Sequence, residues 1–279
     1  MLLQNKNAII YGAAGSLGST VAHTLAQAGA KIFLTGRTAD RLQKVADEII
    51  AIGGKAEIAI VDALNEKSIQ AYLDKLSNDG TTIDISFCAI DFQSVQDIPL
   101  VDMKADDYMR PITIALQSQF LTSTAAARKM MKQQSGVILS LTATPGGIGY
   151  PYTGGFSSAC VAMETFVTNL ASEVGAYNVR VVNIRSAGSP DSQVFKQAID
   201  AVPQEMEHVL QSMKNDTMLK KLPMMNDIAQ VAVFLSSELA NMITGVTVDV
   251  TGGTTVGLNY RAPKIKEAHS AGAALVTSR

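Results

Sequence analysis

Gly12, Gly15 and Gly18 stand in Tyr11-Gly12-Ala13-Ala14-Gly15-Ser16-Leu17-Gly18, directly after the apolar run Ala8–Tyr11 and before a stretch with helical apolar spacing. A strand, a glycine-rich turn and a helix in that order can hold a pyrophosphate. Gly12 allows the tight turn, Gly15 lets the backbone approach the phosphates, and Gly18 lets helix and strand pack closely. The helix N-terminus at Ser16 and Leu17 then offers unpaired N–H groups and a positive dipole end. A dinucleotide is the expected ligand. A carboxylate at the end of the second strand would hold a free ribose 2′-hydroxyl. This chain has Gly36 and then Arg37 there. A guanidinium holds a 2′-phosphate, so NADP(H) is expected over NAD(H).

The other reactive side chains are sparse. Cys88 and Cys160 cannot form a disulfide framework, and His23, His208 and His269 are scattered. No zinc spacing is present and no metal is expected. Cys160 lacks an evident histidine partner and reads as a buried, inert thiol. The net charge of −2 gives no basic face for nucleic acid or an anionic membrane. No apolar run is long enough to span a bilayer, and Met1–Asn7 is too short and polar for a signal peptide, so a soluble cytoplasmic protein is expected.

The elements that must carry these residues alternate along the chain. Strands are expected at Ala8–Tyr11, Lys31–Thr35, Ala56–Val61, Ile83–Ala89, Val137–Leu141, Val179–Ile184 and Thr247–Val250. Helices are expected at Leu17–Ala28, Asp40–Ile52, Ser68–Leu76, Ala105–Gln133, Phe156–Ala176 and Asp227–Ser236. Strands apolar throughout and joined by helices imply an α/β fold with a doubly wound parallel sheet covered on both faces. The hydrophobic share of 47% supports one large core. Residues 1–253 read as one Rossmann-type dinucleotide-binding domain, with a polar, Met-containing lid at 189–222 and a C-terminal tail at 254–279.

Over residues 5–253 the chain resembles the short-chain dehydrogenase/reductase family. The resemblance rests on the glycine turn, Gly36-Arg37, Val61-Asp62-Ala63, and Ile243-Thr244-Gly245 leading to Asp249-Val250-Thr251-Gly252-Gly253. It implies a seven-stranded sheet and a homodimer or homotetramer paired through the helices near Ala105–Gln133 and Phe156–Ala176. It also implies that Asp62 bonds the adenine amino group and that Ala63 makes backbone contacts. The glycine spacing matches the family's extended branch, with Ser16 where the usual turn has glycine.

The catalytic half departs from the family. The Tyr-x-x-x-Lys pair falls on Phe156 and Cys160, the upstream Ser on Ala143, and the Asn of the preceding long helix on Ala115. The family's Asn-Ala-Gly reads Cys88-Ala89-Ile90, and its Pro-Gly reads Ala187-Gly188, with a hydroxyl kept at Ser192 that can reach the carboxamide. Phenylalanine donates no proton, alanine orients no carbonyl, and cysteine supplies no fixed positive charge. Loss of one general acid costs ~10²–10⁴ in rate.

Two readings follow. The first is a degenerate, non-catalytic NADP(H)-binding protein or partner subunit. The second is an active NADP-dependent oxidoreductase on a small apolar carbonyl or alcohol, with Tyr152 as substitute acid. Ala143→Ser, Phe156→Tyr and Cys160→Lys together are expected to create reductase activity if the pocket is otherwise intact.

Overall fold

Residues 1–256 are described by a computed structural model. The alternation of side chains along each strand decides the layering. In β1 (Asn7–Tyr11), Ala8 and Ile10 join one core layer, and Ile9 and Tyr11 join the other. The first layer is covered by α1 (Ser16–Gln27), α2 (Ala39–Ala51) and α8 (Met225–Ser236), which bury Val21, Leu25, Leu42, Ile49, Ile228 and Leu235. The second is covered by α3 (Glu66–Asn78), α4 (Ala105–Gln133) and α5 (Gly155–Val174), through Ile69, Leu73, Ala126, Met130, Val167 and Leu170.

The remaining strands are β2 (Lys31–Gly36), β3 (Lys55–Ile60), β4 (Ile85–Cys88), β5 (Gly136–Ala143), β6 (Val179–Ser186) and β7 (Thr247–Asp249). They form one parallel sheet in the order β3-β2-β1-β4-β5-β6-β7. This is the expected single-domain, doubly wound Rossmann-type architecture. The order reverses between β1 and β4, so a crevice opens at their carboxyl ends, where such sheets bind ligands. The segments leaving these two strands are Gly12–Gly18 and Ala89–Ile90.

Some boundaries differ from those expected, for local reasons. The strand expected at 83–89 contracts to β4, because the Gln133 side-chain amide takes both the N–H and the C=O of Ile83, each at 3.0 Å. β5 and β6 run two residues beyond the expected ends, pairing Thr142 with Arg185 and Ala143 with Ser186. The Ser186 hydroxyl secures that end by donating to the Thr142 carbonyl at 3.0 Å. The lid segment 189–222 carries two helices that its polarity concealed, α6 (Gln193–Ala201) and α7 (Pro203–Asp216). Neither buries a residue fully. The expected tail at 254–279 lies outside the described residues beyond Val256. Among the described residues no helix is long and apolar enough to cross a membrane.

Candidate functional site

The turn after β1 is built as its glycines require. Gly12 sits at φ 74°, in the left-handed region. The N–H groups of Gly12 and Ala13 both donate to the Thr35 carbonyl at 3.1 Å. A side chain on Gly12 would meet the Ala89 carbonyl, and one on Gly18 would run into the Gly12 carbonyl. Gly15 is the N-cap of α1 and brings no capping side chain, and the first turn holds no acid. The first-turn N–H groups of Ser16, Leu17 and Gly18 therefore have no helical partner and point out of the helix end. The Ser16 hydroxyl oxygen accepts the Gln193 N–H at 3.0 Å, which ties the turn to the first residue of α6.

A cavity of about 320 Å³ runs from this turn along the ends of β2 and β3. Gly12, Gly15, Arg37, Asp62, Ala63 and Ala89 all line it, so the fold brings these expected residues together. Ser16, Leu17 and Gly18 sit on the adjoining helix start, and Gly188 and Ser192 do not line the cavity. Asp62 Oδ1 accepts the Leu64 N–H at 3.0 Å, which fixes the carboxyl at the cavity wall. Sequence reasoning overlooked Thr38 and Arg41, which share the wall with Arg37. Arg41 follows Arg37 by four residues across the N-cap of α2, a spacing that brings two side chains to one side of a helix start. That spacing was the available signal.

Of the four altered positions, Ala115 and Phe156 pack among apolar side chains, and Cys160 lies close to Glu164 and Arg185. Ala115 is fully buried in a cluster with Ala159 and Met163, flanked by Phe92, Ile112 and Leu116. The Phe156 ring packs against Phe92 with centroids 5.8 Å apart. Cys160 is fully buried, and burial pushes its thiol up to about 11, as expected of an inert thiol. Burial likewise raises the Cys88 thiol. Tyr152 lies on the loop before α5 with a left-handed backbone (φ 61°) and a side chain 56% exposed. Its carbonyl accepts the Asp97 N–H at 2.8 Å, so what anchors Tyr152 to the neighbouring loop is its backbone.

One turn beyond Cys160, Glu164 anchors an ion network that sequence reasoning missed. Arg185 on β6 donates Nε to Glu164 Oε1 at 3.0 Å and Nη2 to Oε2 at 2.5 Å. Its third nitrogen, Nη1, reaches Asp249 at 3.2 Å. The Thr142 hydroxyl donates to Glu164 at 2.8 Å and accepts from Asn183 Nδ2 at 2.7 Å. The hydrogen bonds that Arg185 donates to Glu164 hold its guanidinium above its usual value. All three guanidinium nitrogens are engaged by Glu164 and Asp249, so the cation that lies near Cys160 is already committed to two carboxylates.

Burial works to raise the Asp249 carboxyl, but hydrogen bonds from Thr251, Thr255 and Arg185 prevail and hold it below its usual value. A carboxyl lowered in the folded state adds stability that is fully present above the ordinary aspartate value of about 4 and is lost as pH falls through the lower folded value. Asp249→Asn is expected to flatten this acid limb. Denaturant midpoints followed from neutral to strongly acid pH check it, and an unchanged limb counts against the assignment.

The lid closes from the opposite side. A Cβ on Gly188 would sit 2.6 Å from both Phe195 Cζ and Met213 Cε, so these side chains cover that glycine. Ser192, expected to reach a carboxamide, also caps α6 by accepting the Phe195 N–H at 3.4 Å. Asp191 accepts the Met225 N–H with both oxygens, at 3.1 and 3.2 Å, docking the lid on α8. No group of three metal-ligating side chains occurs among the described residues.

A doubly wound parallel sheet with a glycine turn at its switch point defines a Rossmann-type protein. The family model described as enoyl-(acyl carrier protein) reductase matches residues 12–255, and the chain belongs to that family of short-chain dehydrogenases/reductases. It is 29% identical over 254 residues to the 3-oxoacyl-(acyl-carrier-protein) reductase of Aquifex aeolicus, covering 90% of this chain and 98% of that protein. It is also 29% identical over 257 residues to the 7alpha-hydroxysteroid dehydrogenase of Escherichia coli, covering 92% and 97%. Among solved structures, NAD+-bound xylitol dehydrogenase matches with a TM-score of 0.84 at 23% identity, covering 91% of this chain and 100% of that one. That last likeness speaks for the fold.

Proposed function

We propose that this chain binds NADP(H) on the Gly12–Gly18 turn and does not run the hydride chemistry of its family. One observation carries the reading. A turn whose Gly12 and Gly18 leave no room for a Cβ lies beside Arg37 and Arg41, in a chain whose proton-relay positions are Ala115, Ala143, Phe156 and Cys160. The turn supplies N–H groups for the pyrophosphate, the two arginines a charge for the 2′-phosphate, and Asp62 and Ala63 the adenine wall. Bound NADPH would bring a transferable hydride. Of the side chains at the four relay positions only the Cys160 thiol carries an ionisable proton, and burial holds it there.

The test is a fluorescence titration of NADPH together with a turnover assay on carbonyl substrates. Binding without turnover is expected. No binding at submillimolar NADPH overturns the reading. Turnover overturns its non-catalytic half, and turnover lost in Tyr152→Phe would assign the acid to that residue. The relatives named as a reductase and a dehydrogenase make ketoacyl thioesters and hydroxysteroids the first compounds to screen.

Charge-assisted hydrogen bonds contribute about 1.5–3 kcal/mol each, so Arg37→Ala and Arg41→Ala are each expected to weaken NADPH roughly 10–100-fold. NAD(H) binding should stay unchanged in the same titrations. An unaltered preference between the two cofactors would remove the arginines from 2′-phosphate recognition.

The reading includes self-association through α4 and α5. Phe120 and Val161 are 53% and 50% exposed on these helices, and the Phe120 ring rests edge-on against Phe166, with centroids 6.0 Å apart. Phe120→Glu is expected to shift the chain toward monomer in sedimentation at micromolar concentration, and a variant with the wild-type sedimentation profile would argue against this face.

A further inference from the structure

We infer that the cleft takes the adenosine half of the dinucleotide, an adenosine carrying a 2′- and a 5′-phosphate, and does not hold the nicotinamide. The inference rests on the reading that the Gly12–Gly18 turn binds NADP(H), and it narrows what that site recognises. The cavity beside the turn extends from Arg37 and Arg41 past Asp62 to Ala89 and Ile90, and its wall ends at Asp91, Gln93, Ile114 and Gln193. Ala143, Phe156, Cys160 and Gly188 are not on its wall.

Around the relay positions, side chains pack in from three directions. Ile90 itself leans over the turn, its Cδ1 lying 3.3 Å from where a Cβ on Gly12 would sit. From the loop after β4 comes the Phe92 ring, packed on Phe156 of α5, and from α4 and α5 come the buried side chains of Ala115 and Cys160. From the lid, Phe195 and Met213 cover Gly188, and the Gln193 N–H closes onto the Ser16 hydroxyl at 3.0 Å.

Polarity is distributed in the same way. The adenosine end has two guanidinium groups, a hydroxyl at Thr38 and the Asp62 carboxyl. At the other end the four relay positions present two methyl groups, a phenyl ring and a buried thiol, and the hydroxyls beside Phe156 are paired with one another, Tyr108 with Ser158 at 2.7 Å and Thr153 with Ser157 at 2.5 Å. A carboxamide and a ribose diol pushed into that packing would lose their hydrogen bonds to water and gain none. The stable arrangement leaves the nicotinamide in solvent, where its redox state does not alter affinity.

Calorimetric titration of the full chain with adenosine 2′,5′-bisphosphate, NADP+, NADPH and NAD+ tests this. The first three are expected to bind within about threefold of one another, and NAD+ at least tenfold more weakly. Saturation-transfer NMR on bound NADP+ should show transfer to the adenine protons and little to the nicotinamide protons. Binding of NADP+ or NADPH more than about 30-fold tighter than the bisphosphate overturns the half-site while leaving NADP(H) binding intact. Binding of the bisphosphate alone supports the half-site and overturns NADP(H) as the ligand. No binding by any of the four overturns both.

Discussion

Arg185→Met is expected to destabilise the fold by about 3 kcal/mol, because it leaves Glu164 as an unpaired carboxylate with a side chain only 15% exposed. For a domain of this size that is a fall in melting temperature of roughly 6–12 °C. The physical reason is the asymmetry of nearly buried ion pairs. A pair replaced whole by apolar groups changes stability little, whereas one partner removed strands the other. The double change Glu164→Leu with Arg185→Met should therefore recover most of the loss, and the difference between the single and double variants measures the coupling. Calorimetric melting of the four proteins is the experiment. A loss below about 1 kcal/mol in Arg185→Met would show that solvent reaches the network and that it does not hold β5, β6 and α5 together. Cofactor affinity should be nearly unchanged in the refolded double variant, since the network lies outside the cavity at the Gly12 turn.

The same network marks where sequence reading stops. The glycine turn was legible because all its requirements are local. A left-handed Gly12, an uncapped helix start at Gly15 and a close approach at Gly18 lie within seven residues of one another. The sheet was legible because apolar runs of strand length repeat between helical stretches, and even α4 keeps its expected bounds despite Pro111. Arg185, Glu164 and Asp249 meet across separations of 21 and 64 residues, and nothing near any one of them announces the others. Helices α6 and α7 were illegible for a different reason. They bury no residue fully and lie in a stretch that reads as polar overall, so the apolar face of the short α6 passed unnoticed there. The filled nicotinamide end was half legible. Substitutions at 115, 143, 156 and 160 are visible in sequence, but the packing of Phe92 on Phe156 and of Phe195 on Gly188 requires the fold.

That packing reverses the result expected for the variant that restores the family's side chains. Ala143→Ser, Phe156→Tyr and Cys160→Lys together would rebuild a relay in an intact pocket, but this cleft has no open place for it. Position 160 is fully buried, and its neighbours include the Arg185 guanidinium as well as the Glu164 carboxylate. An ammonium there costs several kcal/mol in lost hydration, and the same desolvation drives the lysine toward its neutral form, which no longer lowers a phenol pKa. The new tyrosine hydroxyl would have to find a partner where the Phe156 ring meets the Phe92 ring, at a cost of about 1–3 kcal/mol if it finds none. The triple variant is therefore expected to melt about 10 °C below the wild type and to leave NADPH oxidation with carbonyl compounds at background. Ala143→Ser alone, at a half-buried strand end, should be tolerated, which separates the effect of the buried charge from that of an added hydroxyl. A triple variant that keeps wild-type stability and oxidises NADPH would mean that the cleft opens to admit the nicotinamide, and the half-site inference would fall with it. Background turnover together with unchanged affinity for adenosine 2′,5′-bisphosphate would instead place all of the recognition at Gly12, Arg37 and Arg41. In that case the losses at the relay positions are of a piece with the closure of the cleft, since a proton donor has no use where the hydride carrier cannot enter.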